Sequence, residues 1–133
     1  MKRLFILAIL ATMSACSHTV TTENPNQVYF AFDSAHLSDA AKEKLKEQSV
    51  FMKKNPEINV TVQGHCDERG STEYNLALGA LRAGNAAHIM TREGIEPERI
   101  KTVSFGKENP IYPGTGEEVW ALNRNTTTKV DKK

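Results

Sequence analysis

The segment QGHCDERG, at residues 63–70, holds the most chemically versatile side chains of the sequence. A histidine, a cysteine, two acids and an arginine lie between Gly64 and Gly70. Side chains of these types can form a metal site, a thiol active site or a loop that binds a charged ligand. The spacing of the residues decides how well each of the three fits.

A metal site needs several of these side chains to converge on one ion. His65, Cys66 and Asp67 are consecutive, and consecutive side chains on an extended segment point to opposite sides. Zinc ligands favour C-x2-4-C and H-x3-5-H spacings, and His36 and His88 lie in neither. The sequence therefore predicts no metal site and no cofactor.

A thiol active site needs a base that can reach the sulfur and a third group that orients the base. His65 is the immediate neighbour of Cys66, so on a strand the two side chains face apart. A free cysteine often behaves as a small apolar residue. We interpret both residues as parts of the scaffold and predict that Cys66 is not a catalytic thiol.

A ligand-binding loop fits the flanking sequence better. Asp67 stands between a predicted strand and a predicted helix, whose first backbone N–H groups favour an anion. Arg82 follows fifteen residues later on that helix. An acid and a guanidinium that face each other suit a zwitterion, with an ammonium on Asp67 and a carboxylate on Arg82. A plain salt bridge that orients the loop is an equally good interpretation.

The elements that must position these residues alternate between strands and helices. Aromatic and β-branched runs predict strands, and apolar residues at helical spacing behind Ser, Thr or Glu predict helices. The predicted strands cover residues 28–32, 58–64, 99–106 and 126–130, and the predicted helices begin near Ser38, Ser71 and Glu117. This order, βαβαβαβ, predicts one α/β (α+β) domain at residues 28–130, in which a helical layer packs on a sheet.

The chain of 133 residues, with 17 Lys plus Arg and 16 Asp plus Glu, has nearly balanced charge. It has no basic stripe, which argues against nucleic acid as a partner. Residues 1–15 have the layout of a signal peptide, with a basic start, a short apolar run and small residues before Cys16. Residues 16–27 are mostly polar and are interpreted as a linker.

The junction MSAC, at residues 13–16, resembles a bacterial lipobox. This resemblance implies that Cys16 carries lipid and becomes the first mature residue. Ser17 follows it, and by resemblance to lipoprotein sorting rules this favours the outer membrane. Cys66 then has no cysteine partner.

Four segments together resemble one known family. They are VYFAFD, VTVQGHCDERGSTEYNLALGALRA, VSFGKENP and WALNR, all within residues 28–124. They are similar to the OmpA-like C-terminal domain, and in particular to the peptidoglycan-associated lipoproteins. The resemblance implies a two-layer sandwich with helices on a mixed sheet.

The resemblance also implies roles for individual residues. Asp67 and Arg82 hold the ammonium and the carboxylate of the ligand, and Phe32 and Asp33, after the first strand, border the pocket. The other implied positions are Asn75, which shapes the start of the helix, Leu78, which lies nearby, and Arg124.

Two features depart from the family pattern. The family usually has two arginines after the asparagine of the last helix, whereas Asn123 is followed by Arg124 and Asn125. The tail TTTKVDKK has one aliphatic residue, Val130, which predicts a short final strand.

The function that the resemblance implies is non-catalytic binding of the peptide stem of peptidoglycan, chiefly through meso-diaminopimelate. The protein would be lipid-anchored in the outer membrane, with its domain in the periplasm, and would tether membrane to wall. It would act with the periplasmic proteins of the Tol-Pal system in envelope integrity and cell division. Two alternatives stay open: a structural component of the Tol complex without wall binding, and a peptidoglycan-acting enzyme.

Overall fold

The computed structural model describes residues 24–132, which alternate between strands and helices. The elements are β1 (Gln27–Tyr29), α1 (Asp39–Lys54), β2 (Val60–His65), α2 (Thr72–Arg92), β3 (Ile100–Gly106), α3 (Glu117–Asn123) and β4 (Asn125–Val130). A short 3-10 helix, Pro97–Arg99, precedes β3. This order confirms the predicted βαβαβαβ arrangement. The predicted signal peptide and most of the predicted linker lie outside the described residues, and Gln27 already belongs to β1.

The four strands form one mixed sheet in the order β1-β4-β2-β3. β4 runs antiparallel to both of its neighbours, and β2 runs parallel to β3. The prediction of a short final strand is wrong, because β4 has six residues and lies in the interior of the sheet. Its backbone hydrogen-bonds on both sides, so β-branched threonines hold it in place without large apolar side chains.

The two long helices begin at the predicted serines. The hydroxyl of Ser38 accepts a hydrogen bond from the backbone N–H of Ala41, and the hydroxyl of Ser71 accepts one from Tyr74. Each bond satisfies an N–H group that the first helical turn leaves free. The buried residues of α1 are those that the helical spacing predicts: Ala41, Leu45, Ser49 and Met52. After α2 the chain turns at Gly94, where φ is +100°.

The apolar core lies between the sheet and the helical layer. Its buried members are Val28, Phe30, Leu37, Ala41, Leu45, Met52, Val60, Val62, Ala83, Ala86, Met90 and Ile95. Two glycines set how closely α2 approaches the sheet: a Cβ on Gly64 would lie 1.8 Å from the carbonyl oxygen of Gly79. This contact brings the start of α2 against the end of β2, where Asp67 follows.

The opposite face of the sheet carries buried polar side chains. Tyr29 and Tyr112 both donate hydrogen bonds from their hydroxyls to Oε1 of Gln27, at 2.9 and 2.8 Å. Nε2 of Gln27 donates to Thr127, and Thr127 donates to Asn125. Gln27, Thr127 and Asn125 are all buried. The segment that contains Tyr112 is therefore held over this face by hydrogen bonds.

Candidate functional site

A cavity of about 390 Å³ lies at the carboxyl end of β2. It is bordered by the loop after β1, the loop after β2 and the first turns of α2. Its lining residues are Phe32, Asp33, Cys66, Asp67, Arg69, Gly70, Tyr74, Asn75, Leu78 and Arg82. Six of the seven residues that the sequence predicts for the pocket are among them, and the seventh, Arg124, contacts Asp67.

Asp67 is buried beneath two arginines. Its Oδ1 accepts hydrogen bonds from the backbone N–H and from Nε of Arg69, at 3.0 and 3.2 Å. Its Oδ2 accepts from Nη2 of Arg69 at 2.8 Å and lies 3.5 Å from Nη1 of Arg124. Burial alone would raise the pKa of Asp67, but the hydrogen bonds from the two arginines outweigh burial and hold the pKa below its usual value. Asp67 is therefore ionised at neutral pH.

Arg69 is clamped between two aromatic rings. Its guanidinium carbon lies 3.9 Å from the ring centroid of Phe32 and 4.2 Å from that of Trp120. The face of an aromatic ring attracts a guanidinium, so both contacts favour this position of Arg69. The clamp joins the loop after β1, the loop after β2 and α3 through one side chain.

Arg82 is almost fully buried and donates to three backbone carbonyl groups. Nε donates to Ser34, Nη1 to His65 and Nη2 to Ala31, over distances of 2.8, 2.8 and 3.1 Å. These bonds tie α2 to β2 and to the loop after β1. Burial lowers the pKa of Arg82, whereas the nearby Cys66 and Asp67 raise it. Three of the five guanidinium N–H groups are used in this way, and the side chain also borders the cavity beside Cys66.

Of the two interpretations of Asp67 and Arg82, the plain salt bridge between them is not formed among the described residues. Asp67 pairs with Arg69 and Arg124. Arg82 donates instead to the three backbone carbonyl groups named above. The physical reason is that Arg82 satisfies buried carbonyl oxygens in its own vicinity, which would otherwise lose their hydrogen bonds with water. Asp67 and Arg82 still border the same cavity.

Arg124 connects the cavity with α3. Its Nε donates to the carbonyl of Phe30 at 3.0 Å, and its Nη2 lies 3.0 Å from Oε1 of Glu117. A second link runs through Glu68, which accepts hydrogen bonds from Nε1 of Trp120 at 2.8 Å and from the hydroxyl of Thr115. These two bonds lower the pKa of Glu68. The position after Arg124 holds Asn125, which is buried and donates to the carbonyl of Leu122.

Asp33 lies at the mouth of the cavity in an unusual backbone conformation. Its φ is +53°, a left-handed value that costs a non-glycine residue free energy. Its Oδ1 accepts a hydrogen bond from the hydroxyl of Tyr74, which raises the pKa of Tyr74. Asp33 thus adds an exposed carboxylate to the lining of the cavity that the buried Asp67 also borders.

Asn75, Leu78 and Cys66 form the inner wall. Nδ2 of Asn75 donates to the carbonyls of Arg69 and Ser71, at 2.8 and 2.9 Å, and so joins the loop to the first turn of α2. The Sγ of Cys66 lies 3.3 Å from the carbonyl oxygen of Asn75, and burial raises the pKa of this thiol. Cys66 is therefore a poor nucleophile at neutral pH.

His65 lies behind the cavity, on the polar face of the sheet. Its ring is buried and stacks on Phe105, with ring centroids 5.4 Å apart. Nε2 lies 3.4 Å from Oε1 of Gln63, and Nδ1 is buried without a hydrogen-bond partner among the described residues. Burial lowers the pKa of His65. His65 therefore has the scaffold position that the sequence predicts.

Three residues of the site were missed by sequence reasoning: Arg69, Tyr74 and Trp120. Arg69 lies inside the charged segment at residues 63–70, so its type and position are a usable signal. Trp120 is the single tryptophan of the chain, on a helix that begins with two acids, but nothing local connects it with residue 69.

The cavity presents charges of both signs within a small volume. Asp33 and Asp67 supply two carboxylates, and Arg69 and Arg82 supply two guanidinium groups. A zwitterion can place its ammonium near the acids and its carboxylate near the arginines, and charge-assisted hydrogen bonds of this type are short and strong. The geometry thus suits a small ligand with both charges better than a simple cation or anion.

The predicted lipid attachment site, Cys16, lies outside the described residues. Within residues 24–132, none of the helices is long and apolar enough to cross a membrane. In the same part of the chain, no three His, Cys, Asp or Glu residues are grouped in a way that could hold a metal ion.

Known proteins that resemble this chain share one family. A family model described as the OmpA family matches residues 29–124. The chain is 37% identical over 103 residues to the peptidoglycan-associated lipoprotein of Agrobacterium fabrum, a match that covers 77% of this chain and 58% of that protein. It is 42% identical over 106 residues to the peptidoglycan-associated lipoprotein of Legionella pneumophila, with 78% and 60% covered. The chain thus spans about three fifths of the length of these two relatives.

A solved structure of a peptidoglycan-associated lipoprotein is also similar to this chain. The crystal structure of the peptidoglycan-associated lipoprotein from Burkholderia pseudomallei superposes on this chain with a TM-score of 0.77 at 34% identity. The superposition covers 84% of this chain and 98% of that one.

Proposed function

This chain belongs to the OmpA family, and on that premise we propose that it is an outer-membrane lipoprotein whose domain binds the peptide stem of peptidoglycan without catalysis. The observation that carries the proposal is the single cavity that Asp33, Asp67, Arg69 and Arg82 line together. The relatives named above support it, because they are peptidoglycan-associated lipoproteins.

The proposed ligand is meso-diaminopimelate, whose free end carries an ammonium and a carboxylate. The ammonium binds between Asp33 and Asp67, and the carboxylate binds the guanidinium of Arg82, which lines the cavity. Leu78 and Phe32 cover the aliphatic part of the ligand. Because Arg69 already bonds to both oxygens of Asp67, the ammonium either displaces Arg69 or binds mainly to Asp33.

The expected affinity of one site is modest. Charge-assisted hydrogen bonds contribute about 1.5–3 kcal/mol each. Two or three of them, less the cost of association, correspond to a dissociation constant of about millimolar to micromolar. The cell wall repeats the same epitope many times, so many anchored copies bind it with high avidity although each site releases quickly.

At its other end, the protein is held by lipid on Cys16. One acyl chain binds a membrane only marginally, whereas several chains hold firmly. The protein is then permanent in the membrane and exchangeable on the wall. In this position it works with periplasmic Tol proteins and supports envelope integrity and cell division.

The proposal is tested by sedimentation with purified sacculi, with Asp33→Asn and Asp67→Asn as the variants. Each keeps the size of the side chain and removes its charge, and each is expected to reduce bound protein at least tenfold, the loss of one charge-assisted bond. Glu98→Gln, an exposed acid on the 3-10 helix, is the matched control. Free meso-diaminopimelate should compete with sacculi, whereas cadaverine, which has two ammonium groups and no carboxylate, should compete less because it offers nothing to the guanidinium of Arg82.

Three results would overturn parts of the proposal. If folded Asp33→Asn and Asp67→Asn sediment like the wild type, the assignment of the cavity is wrong. If the wild type itself does not sediment, the chain has no wall-binding activity, and a structural role in the Tol complex is favoured. Release of soluble muropeptides from the sacculi would indicate an enzyme.

A further inference from the structure

A second cavity, of about 310 Å³, lies between the end of α1 and the end of β4. We refer to it as the apolar groove. Met52 and Val60 are buried at its base, and Phe51, Val130 and Pro25 form its walls. The side chains of Phe51 and Val130 are 54% and 52% exposed, so apolar surface is open to solvent here.

The apolar groove and the candidate site lie at opposite ends of one strand. Val60, the first residue of β2, borders the groove, and Asp67 lies two positions after His65, the last residue of β2. A six-residue strand is about 17–20 Å long. A surface that touches the groove is therefore kept away from the cavity by the full length of β2.

The first described residues of the chain lie at the same end of the domain as the groove. Pro25 lines the groove, and the carbonyl of Asn26 accepts a hydrogen bond from the backbone N–H of Thr128, which also lines it. Cys16 precedes Asn24 by eight positions. Eight residues reach at most about 29 Å when fully extended. With lipid on Cys16, this end of the domain cannot move farther than that from the membrane surface.

We propose that the apolar groove is a membrane-contact surface, which rests on the phospholipid headgroups of the bilayer that holds Cys16. Phe51 and Val130 enter the boundary between headgroups and acyl chains, where aromatic and aliphatic side chains bind favourably. The cavity beside Asp67 then faces away from the membrane, toward the wall. This inference depends on the lipid anchor of the proposed function, and it does not depend on wall binding.

The charges around the groove are compatible with an anionic lipid surface. Lys54, Lys129 and Lys132 are exposed at this end, and basic residues near a membrane surface are attracted to anionic headgroups. Glu47 and Asp131 partly offset them, and Oδ1 of Asp131 accepts a hydrogen bond from Thr61. The apolar side chains therefore supply most of the proposed contact, and the lysines orient it.

The test uses the full lipidated chain in vesicles of phosphatidylethanolamine and phosphatidylglycerol that contain a lipid with a nitroxide on its headgroup. A fluorophore is attached to Val50→Cys, next to Phe51, or to Leu76→Cys near the candidate site. Val50 and Leu76 are 48% and 39% exposed. Wild-type protein, in which Cys66 is buried, sets the labelling background.

We expect nitroxide quenching to be at least twice as strong at position 50 as at position 76. Phe51→Ser should reduce the quenching at position 50 by about half, since a Phe side chain makes a large share of the apolar contact. Leu81→Ser, which removes a 60% exposed side chain from the middle of α2, should leave it unchanged.

Each other outcome contradicts the inference. Equal quenching at positions 50 and 76 in vesicle-bound protein means that the domain does not rest on the bilayer through this end. Shielding of position 50 without nitroxide quenching means that a protein segment or a second copy covers the groove. A chain that does not remain with the vesicles refutes the lipid anchor and, with it, this inference. Sedimentation with sacculi then tests wall binding separately.

Discussion

The backbones of Gly64 in β2 and Gly79 in α2 touch, so that a Cβ on Gly64 would lie 1.8 Å from the carbonyl oxygen of Gly79. No side chain fits between them, because both contacting groups are backbone and neither can rotate away. This contact sets the distance between α2 and the sheet, and hence the width of the cavity that Asp67 and Arg82 share.

Gly64→Ala is expected to lower the free energy of unfolding by about 3 kcal/mol or more, through overpacking at this contact. Gly79→Ala should cost less, because its Cβ would overlap only the hydroxyl of Ser104, a small side chain that can rotate, and would lie 3.1 Å from the carbonyl oxygen of Gly64, which is tight but not an overlap. Gly84→Ala, on the same helix with nothing near its Cβ, should stabilise by about 0.5–1 kcal/mol. Urea denaturation measures the free energies of unfolding of the three variants and so tests this ranking. Equal stabilities of Gly64→Ala and Gly84→Ala would show that the backbones of Gly64 and Gly79 are farther apart.

Arg82→Lys should destabilise the fold although it keeps the charge. An ammonium cannot span the carbonyls of Ala31, Ser34 and His65, so at least one buried acceptor loses its partner, at a cost of about 1–3 kcal/mol. Arg92→Lys, at the exposed end of the same helix, is the control and should change stability by less than about 0.5 kcal/mol. The two midpoints of denaturation compare them directly. Equal midpoints for Arg82→Lys and Arg92→Lys would mean that the hydrogen bonds of Arg82 to the backbone do not stabilise the fold.

Arg69→Gln should raise the pKa of Asp67. Burial already raises that pKa, and the hydrogen bonds from Arg69 are the chief opposing influence. In the wild type the lowered pKa contributes stability above the pKa of the unfolded chain, about 3.9, and this stability is lost as pH falls through the folded pKa. In the variant, protonation and the accompanying loss begin at a higher pH.

Carboxyl NMR titration of Asp67 measures this shift, and the fluorescence of Trp120, the single tryptophan, reports the loss of the guanidinium from its ring. Arg92→Gln serves as the control. If the pKa of Asp67 is unchanged in Arg69→Gln, then Arg124 alone, and not Arg69, lowers that pKa in the wild type.

The buried ring of His65 should make the protein less stable in mild acid. Burial lowers the pKa of His65 below that of the unfolded chain, about 6.5. The unfolded state then binds the proton first, so the contribution of neutral His65 is complete above that pH and is lost progressively as pH falls below it. Melting temperatures at pH 7.5 and 5.5 should differ more in the wild type than in His65→Gln. His88→Gln, which changes an exposed histidine, should behave like the wild type; if His65→Gln does as well, His65 does not titrate as a buried group.

Local pattern predicted most of the elements, because helices and caps depend on neighbours in sequence. The spacing of Ala41, Leu45 and Ser49 and the serines before both long helices are of this kind. The first strand was predicted too long, at residues 28–32, whereas β1 ends at Tyr29. The carbonyls of Phe30 and Ala31 bond instead to Arg124 and Arg82, 94 and 51 positions later, and no local signal reveals such partners.

The same limit applies to the candidate site. Asp67 and Arg82 could be selected from residue type and spacing, and both border the cavity. The residues that bond to them could not be predicted in this way. Arg69, which bonds to Asp67, is held between Phe32 and Trp120, and these two rings come from segments that meet only in the folded chain. Sequence reasoning therefore identified the charged groups and missed how they are paired.

The polar network around Gln27 gives the two sides of the sheet unequal resistance to local opening. Apolar burial holds the helical side, whereas the segment with Tyr112 is held by hydrogen bonds, which water can replace at little net cost. That segment and α3 should therefore open together before the rest, and amide hydrogen exchange should be fastest there. When they open, Arg69 loses the ring of Trp120 but keeps that of Phe32. The side of the cavity near Phe32 therefore stays closed, whereas the side near Trp120 opens transiently. A bound ligand should slow amide hydrogen exchange on the Trp120 side.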